Sequence, residues 1–177
     1  LDDDVVVEPE AVAAMLSFWA QGGSELGGVS FQITNNPYPD GLRFKNFFLV
    51  DGPIQGKMLP SGFPTSFFPT DTDIDAQWLC GGATVWRRTV IDRTPYDEWF
   101  VGTGFMEDVD YSFTVGAKHR LAVCASARLA HYSHPIRADR YFLLGFWQVV
   151  NRMYIVRKHA SRGLSIKSKT PFGLAST

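Results

Sequence analysis

The sequence predicts an α/β fold, because segments with strand composition and segments with helical periodicity alternate along most of the chain. The β-branched run Val5–Val7 is followed by Glu8-Pro9-Glu10, in which a proline and two acids stand where a first helical turn favours them. Residues 11–21 then predict a helix that ends at Gly22-Gly23, and residues 28–34 predict a strand. On that helix we expect one apolar face, formed by Val12, Met15, Leu16 and Trp19.

The second half of the chain continues the alternation. Residues 78–88 predict a strand with a glycine pair that runs into a short helix, and residues 107–118 predict a helix that begins with acids. Residues 121–124 and 127–131 predict two short strands. A long helix is expected over residues 137–159, with side chains that are largely buried or form an apolar face: Phe142, Phe146, Val149, Val150 and Met153.

Residues 37–77 interrupt this pattern. Proline, glycine and phenylalanine recur there, so the segment is too apolar for a disordered linker and too broken for long regular elements. A long structured loop inside a compact domain is more often functional than not. We therefore expect it to cover the same face as the functional site. A surface excursion packed by its own aromatic side chains is the alternative.

We expect one domain over residues 1–160 and a poorly packed tail over residues 161–177. The chain has 177 residues and is 45% hydrophobic, which is enough to bury a core and excludes disorder as the default. Its net charge of −1 gives no argument for a nucleic-acid partner.

Cysteine usage and the chain start bear on location. Cys80 and Cys124 lie far apart, outside any paired-cysteine metal spacing, and do not form a disulfide framework. No signal peptide is found, so we expect a cytoplasmic protein. Because Leu1 opens directly on three aspartates without an initiator methionine, we also expect a piece cut from a longer chain.

The longest apolar stretch, residues 141–156, predicts a buried or interfacial helix. Gln148, Asn151 and Arg152 interrupt it, and about 20 uninterrupted apolar residues are needed to span a bilayer. Peripheral attachment to the inner face of the plasma membrane is one hypothesis, and simple packing of the helix on the domain is the other. Basic residues collect in this part of the chain: Arg137, Arg140, Arg152, Arg157, Lys158, Arg162, Lys167 and Lys169.

Three consecutive aspartates form the first candidate site. Because side chains alternate at a strand end, Asp2 and Asp4 point the same way. Two carboxylates on one side offer hard oxygen ligands to Mg²⁺ or Mn²⁺, which commonly also bind substrate phosphate oxygens. A solubilising acidic terminus is the alternative.

Glu107, Asp108 and Asp110 form the second candidate site, at a helix start preceded by two glycines. A carboxylate there could act as a general base, which needs a flexible approach and a partly enclosed position. Alternatively, the acids only complement the helix dipole. Successive helical side chains differ by about 100°, so Asp108 and Asp110 cannot both face one pocket.

Two further motifs have a functional and a structural interpretation. His131 and His134 follow a predicted strand, and an imidazole is a natural third ligand for a metal that carboxylates already hold. A structural role for either histidine is the alternative. The pair Gly81-Gly82 would let a ligand approach the backbone closely, or would simply form a bulge or tight turn.

Taken in order, four segments resemble the family 2 glycosyltransferases of the GT-A fold: LDDDVVVEPEAV, WLCGGATVWRR, GFMEDVDYSF and ARLAHYSHP. The resemblance covers nearly the whole chain to about His159. It implies the C-terminal part of a GT-A domain, with a mixed sheet flanked by helices and without the N-terminal nucleotide-binding strands of the family.

The resemblance also implies a reaction. A sugar would pass with inversion from a nucleotide-sugar donor to a hydroxyl of a saccharide or lipid-linked acceptor. Asp2 and Asp3 would bind the donor diphosphate, while Asp2, Asp4 and His131 would hold Mg²⁺ or Mn²⁺.

The remaining site residues follow from the same resemblance. Asp108 would deprotonate the acceptor hydroxyl, and Glu107 would orient it. Gly81, Gly82 and Trp78 would line the donor sugar and the acceptor.

Two other functions stay open at this point. A non-catalytic binding or scaffold fragment would keep the fold without turnover. A metal-dependent hydrolase could use the same carboxylates, although the sequence lacks the clustered His and Asp ligands of two-metal sites.

Overall fold

The computed structural model describes residues 1–38, 40–102, 104–132 and 137–164, and it shows an α/β fold with a mixed sheet and flanking helices. The predicted fold class and mixed sheet are therefore confirmed. The strands are β1 (Val5–Val7), β2 (Leu26–Ile33), β3 (Ile74–Ala76), β4 (Thr84–Trp86) and β5 (Arg120–His131). The helices are α1 (Ala11–Gln21), α2 (Leu42–Phe47), α3 (Arg88–Ile91), α4 (Glu107–Val115) and α5 (Tyr141–Lys158).

Strand β5 is the centre of the sheet. Strand β2 runs parallel to it, and β4 extends the sheet antiparallel on the far side of β2. Strands β1 and β3 both pair antiparallel with β5, β1 at its carboxyl end and β3 near its amino end. Because β2 and β5 are parallel, their carboxyl ends lie at the same edge of the sheet.

The prediction of two short strands in the β5 region was wrong. Cys124 lies opposite Phe31 and Arg128 lies opposite the next residue of β2, so one long strand contains a bulge at residues 125–127. The Asp73 carboxylate accepts the backbone N–H of the first bulged residue at 2.8 Å. A side-chain hydrogen bond distant in sequence therefore keeps the strand continuous where its apolar pattern breaks.

Alternating side chains of β5 place helices on both faces of the sheet. Ala122 and Cys124 pack in one core cluster with Met15 of α1. Leu121 and Val123 pack in another, with α4. Strand β2 is consequently covered on both faces, and all eight of its residues are buried.

Helix α1 has the predicted bounds, but a different side meets the sheet. Ala11 and Met15 are buried, whereas Val12 and Leu16, predicted on the apolar face, are 54% and 66% exposed. The helix packs through the stripe that contains Ala11 and Met15, which lies about 100° from the stripe of Val12 and Leu16.

Helix α5 packs through its second half. Ile155 and Val156 are buried against α4, whereas Phe142, Phe146 and Val149 are exposed. Three of the five expected apolar side chains therefore form an exposed face, and Val150 and Met153 are half-buried. Within the described ranges, no helix is long and apolar enough to cross a bilayer.

The packed region continues beyond residue 160. A 3₁₀ helix covers Ala160–Arg162, and Leu164 is buried in the cluster between α4 and α5. Residues 165–177, most of the expected tail, lie outside the described residues, as does His134.

A buried charged cluster joins α4 to the end of α5. Asp110 is 2% exposed, and its two carboxylate oxygens contact Lys158 Nζ at 2.7 Å and His159 Nε2 at 2.9 Å. The Lys158 ammonium also contacts Asp97 at 2.7 Å, and this interaction holds the pKa of the Asp97 carboxyl at about 2. Asp110 thus binds the end of a second helix, because α5 brings two basic side chains to it.

A second contact ties α5 to the loop before α4. The Asn151 side chain, 1% exposed, donates to the Phe105 carbonyl at 2.8 Å and accepts from the Trp99 indole at 3.3 Å. Trp99 stacks on Tyr154 at a centroid distance of 4.5 Å. The loop that leads to Glu107 is therefore held from α5.

We expect the substitution Asp110→Asn to lower the free energy of unfolding by about 3 kcal/mol, because it removes one partner of a buried charged cluster. Asp92→Asn is the matched control, since Asp92 pairs with Arg88 on the surface and its loss should cost at most about 0.5 kcal/mol. Urea unfolding monitored by tryptophan fluorescence measures both values. Equal, small losses for the two variants would contradict the structural role of the cluster.

Candidate functional site

Four chain segments meet at the carboxyl ends of β2 and β5. Strand β1 is antiparallel to β5, so Asp2 and Asp4, which precede β1, lie near His131 at the end of β5. Strand β4 is antiparallel to β2, so Gly81-Gly82 before it lies at this same end. Helix α4 leads back into β5 through a short turn, which brings its first residues, with Asp108, to this edge. Ligands of α/β sheets commonly bind at such carboxyl ends.

The first group at this edge is a cluster of two carboxylates and an imidazole. One ligand atom each from Asp2, Asp4 and His131 lies within 4.8 Å of the others. His131 Nε2 is 3.1 Å from Asp4 Oδ1, and Asn35 holds the His131 backbone by hydrogen bonds to both its N–H and its carbonyl. The predicted approach of His131 to the aspartates is confirmed.

The cluster fits a divalent cation. Asp4 Oδ1 is buried, and apart from the contact with His131 Nε2 it accepts no hydrogen bond from any described residue. A buried carboxylate oxygen with so few donors is costly, and a cation would lower that cost. Two carboxylates and one imidazole are suitable ligands for Mn²⁺ or Mg²⁺.

Two glycines lie directly against the acidic side chains. The Asp2 N–H donates to the Gly82 carbonyl at 3.1 Å, and a Cβ on Gly82 would lie 2.3 Å from Asp2 Oδ2. The Gly81 N–H donates to Asp108 Oδ2 at 3.1 Å, and a Cβ on Gly81 would lie 3.2 Å from Asp108 Cβ. Each glycine therefore supports one carboxylate, as close backbone approach requires.

Asp108 is the carboxylate best suited to accept a proton. Burial raises the pKa of its carboxyl, the backbone N–H groups of Gly81 and Val109 partly oppose that rise, and the charge of Asp2 adds to it. Glu107 is exposed as a whole, but its carboxylate lies against Gly104. Partial desolvation there, together with the charge of Asp108, raises the pKa of its carboxyl. Both acids begin α4, whereas Asp110 turns away toward α5.

One cavity of about 550 Å³ is lined by Asp2 and His131 of the cluster, by both glycines, and by Glu107 and Asp108; Asp4 is not part of its lining. Trp78 lines it too and is fixed by a hydrogen bond from its indole to the Thr65 carbonyl at 3.0 Å. Asp3 is exposed and lies outside the cavity lining. Burial and the nearby acid Asp108 raise the pKa of the Cys80 thiol, also in the lining, to about 11, so it is not a nucleophile at neutral pH.

Sequence patterns missed several lining residues. Tyr96, Phe105 and Met106 line the cavity from the segment before α4. Tyr96 stacks on Tyr111 at a centroid distance of 3.9 Å, a contact between side chains 15 positions apart. The only sequence signal near Tyr96 is that aromatic and acidic residues cluster over residues 96–100. Met106 has a φ of 70°, which is unusual for a residue other than glycine and marks a tight entry into α4.

The Pro/Gly/Phe-rich segment reaches the cavity through Pro64. Much of the segment is tied to itself: Asp51, 4% exposed, accepts from both the Ser66 N–H and the Ser66 hydroxyl. Both interpretations of this segment thus describe part of it, since it packs internally and also contributes to the cavity wall.

The site combines a cluster of two aspartates and a histidine, which offers ligand atoms suited to a cation, with a neighbouring carboxylate of raised pKa. Such a pair can stabilise developing negative charge on one group and take a proton from another. No family model, curated protein or solved structure matches the chain.

Proposed function

We propose that this chain carries the metal-binding and base residues of an inverting, family 2 glycosyltransferase with the GT-A fold. The observation that carries the proposal is the Gly81-Gly82 turn, in which Gly81 contacts Asp108 and Gly82 contacts Asp2 within one cavity. The resemblance of the four sequence segments to that family supports it independently. The substrates would be a nucleotide-sugar donor and a hydroxyl-bearing acceptor.

On the donor side, Asp2, Asp4 and His131 would hold Mg²⁺ or Mn²⁺ through two carboxylates and an imidazole. A bound cation supplies Lewis acidity that neutralises charge on the departing diphosphate. Trp78 gives this part of the cavity a rigid apolar wall, because its indole N–H is already engaged.

On the acceptor side, Asp108 takes the proton of the attacking hydroxyl. The oxygen forms its bond to the anomeric carbon as the bond to the diphosphate oxygen breaks, and the electron pair leaves with the diphosphate. Attack from the face opposite the leaving group inverts the anomeric centre. Only the ionised Asp108 accepts a proton, so turnover should rise with pH through a pKa that burial has raised above the usual aspartate range.

We expect the chain to bind Mn²⁺ saturably, and Asp4→Asn to weaken that binding by at least about tenfold, because it removes a ligand of the cluster. For the titration with Mn²⁺ alone, Asp3→Asn is the matched control: it changes the neighbouring acid, which is exposed and outside the cluster. Isothermal titration calorimetry with Mn²⁺, alone and with a nucleoside diphosphate, measures the difference. Equal effects of the two variants would indicate a diffuse acidic terminus. A chain that binds Mn²⁺ but no nucleoside diphosphate would favour a scaffold.

The substitution Gly82→Ala should lower Mn²⁺ affinity by about tenfold with little change in Tm. Its Cβ would displace the Asp2 carboxylate, a flexible group that can move without disturbing the core. Gly81→Ala crowds Asp108 and should leave Mn²⁺ affinity intact. If both variants lose Mn²⁺ affinity equally, Gly82 and Gly81 do not position Asp2 and Asp108 independently.

In the enzyme, Asp108→Asn should reduce turnover by about 10²–10⁴-fold, because it preserves shape and removes the base. Affinity for Mn²⁺ with a nucleoside diphosphate should hardly change, since the loss is confined to the transition state. Transfer kinetics with a panel of nucleotide sugars, together with diphosphate titration, separate the two quantities. Glu107→Gln is the control, and near-normal turnover of Asp108→Asn with an inactive Glu107→Gln would move the base to Glu107.

A further inference from the structure

Two elements, α2 and the first half of α5, expose aromatic side chains to solvent. Helix α2 buries no residue, and Phe44, Phe47 and Phe48 contact one another while each is at least 48% exposed. The first half of α5 is similar, with Phe142 at 87% exposure and Phe146 at 49%. Phe142 and Phe146 lie one helical turn apart and share a side of α5.

The two helices are neighbours. The Ser61 hydroxyl donates to the Leu49 carbonyl, just after α2, and the Phe63 ring lies 4.2 Å from the Arg152 guanidinium of α5. Residues 59–63 therefore bridge the two elements. We call residues 40–50 and 137–153 together the aromatic surface.

The charge of the aromatic surface is opposite to that of the chain. It carries five basic residues, Arg43, Lys45, Arg137, Arg140 and Arg152, and two acids, Asp40 and Asp139. One of these acids is paired, since Asp139 contacts Arg137 at 3.3 Å. A net charge of −1 for the whole chain means that the remaining residues are acidic overall.

The aromatic surface also borders the proposed catalytic cavity. A second cavity of about 290 Å³ is lined by Lys45 and Val50 on one side and by Gln148 of α5 on another. Phe105 and Met106 line both this cavity and the one that contains Asp108. A molecule bound at the aromatic surface would therefore be separated from the proposed base by the two residues that line both cavities, Phe105 and Met106.

We propose that the aromatic surface binds the headgroup region of an anionic lipid membrane. Exposed phenylalanines beside arginines and lysines are the combination that interfacial helices use, with rings at the acyl boundary and cations at the phosphates. A second copy of this chain suits the surface less well, because a symmetric contact would bring the same basic residues together. If the proposed function holds, the acceptor would be a lipid-linked hydroxyl compound presented beside the second cavity.

The test is co-sedimentation of the full chain with vesicles of phosphatidylcholine and phosphatidylglycerol, and with vesicles of phosphatidylcholine alone. The wild-type chain should bind the anionic vesicles more tightly, and Phe142→Ser with Phe146→Ser should weaken binding by at least about tenfold through lost apolar contact. Val12→Ser with Leu16→Ser is the matched control, because these apolar side chains are also exposed, on α1 across the sheet.

Charge variants give a second measurement that does not depend on the aromatic variants folding. Arg43→Glu with Arg140→Glu should remove the preference for anionic vesicles, since both side chains are exposed. Equal binding by wild-type and aromatic variants would overturn the proposal. The proposal would also be overturned if the wild-type chain did not co-sediment with vesicles but self-associated through these phenylalanines. Binding should persist in Asp2→Asn with Asp4→Asn, so a failed membrane site and a failed metal site are told apart.

Discussion

The absence of side chains at Gly81 and Gly82 sets the spacing of the whole site. These two residues occupy the turn before β4, where the backbone meets Asp2 from one direction and Asp108 from another. Any larger residue at position 82 would occupy the volume of the Asp2 carboxylate. The approach of Asp2 and of the start of α4 to one point depends on this thin segment of backbone, while the pairing of β1 with β5 brings His131 to Asp4.

Helix α4 contributes to two environments at once because its acidic side chains diverge. Asp108 faces the cavity, and Asp110, two residues later, faces Lys158 and His159 in the interior. Burial would lower the pKa of the Lys158 amine, but its bonds to Asp110 and Asp97 outweigh that effect and raise it. The interior charges thus fix the rotation of the helix, and with it the direction in which Asp108 points.

Local patterns in the sequence predicted the elements, and long-range contacts decided their details. The divergence of Asp108 and Asp110 follows from helix geometry and was therefore predictable. Asp2 and Asp4 do lie close together, but Asp3 and Asp4 form a turn before β1, so strand alternation is not what brings them there. The bulge in β5 was not predictable, because it depends on Asp73, more than 50 positions away. The role of Tyr96 was equally hidden, since its environment is created by Tyr111 across the fold.

Helix α5 has two halves with different mechanical roles. Its second half is fastened to α4 by Lys158 and to the loop before α4 by Asn151, while its first half projects with exposed side chains. A helix of 18 residues is about 27 Å long and bends little. The exposed first half of α5 and the loop that ends at Glu107 are therefore joined through one stiff element. In this chain, a single helix sets the position of the acid pair relative to whatever touches the outer end of α5.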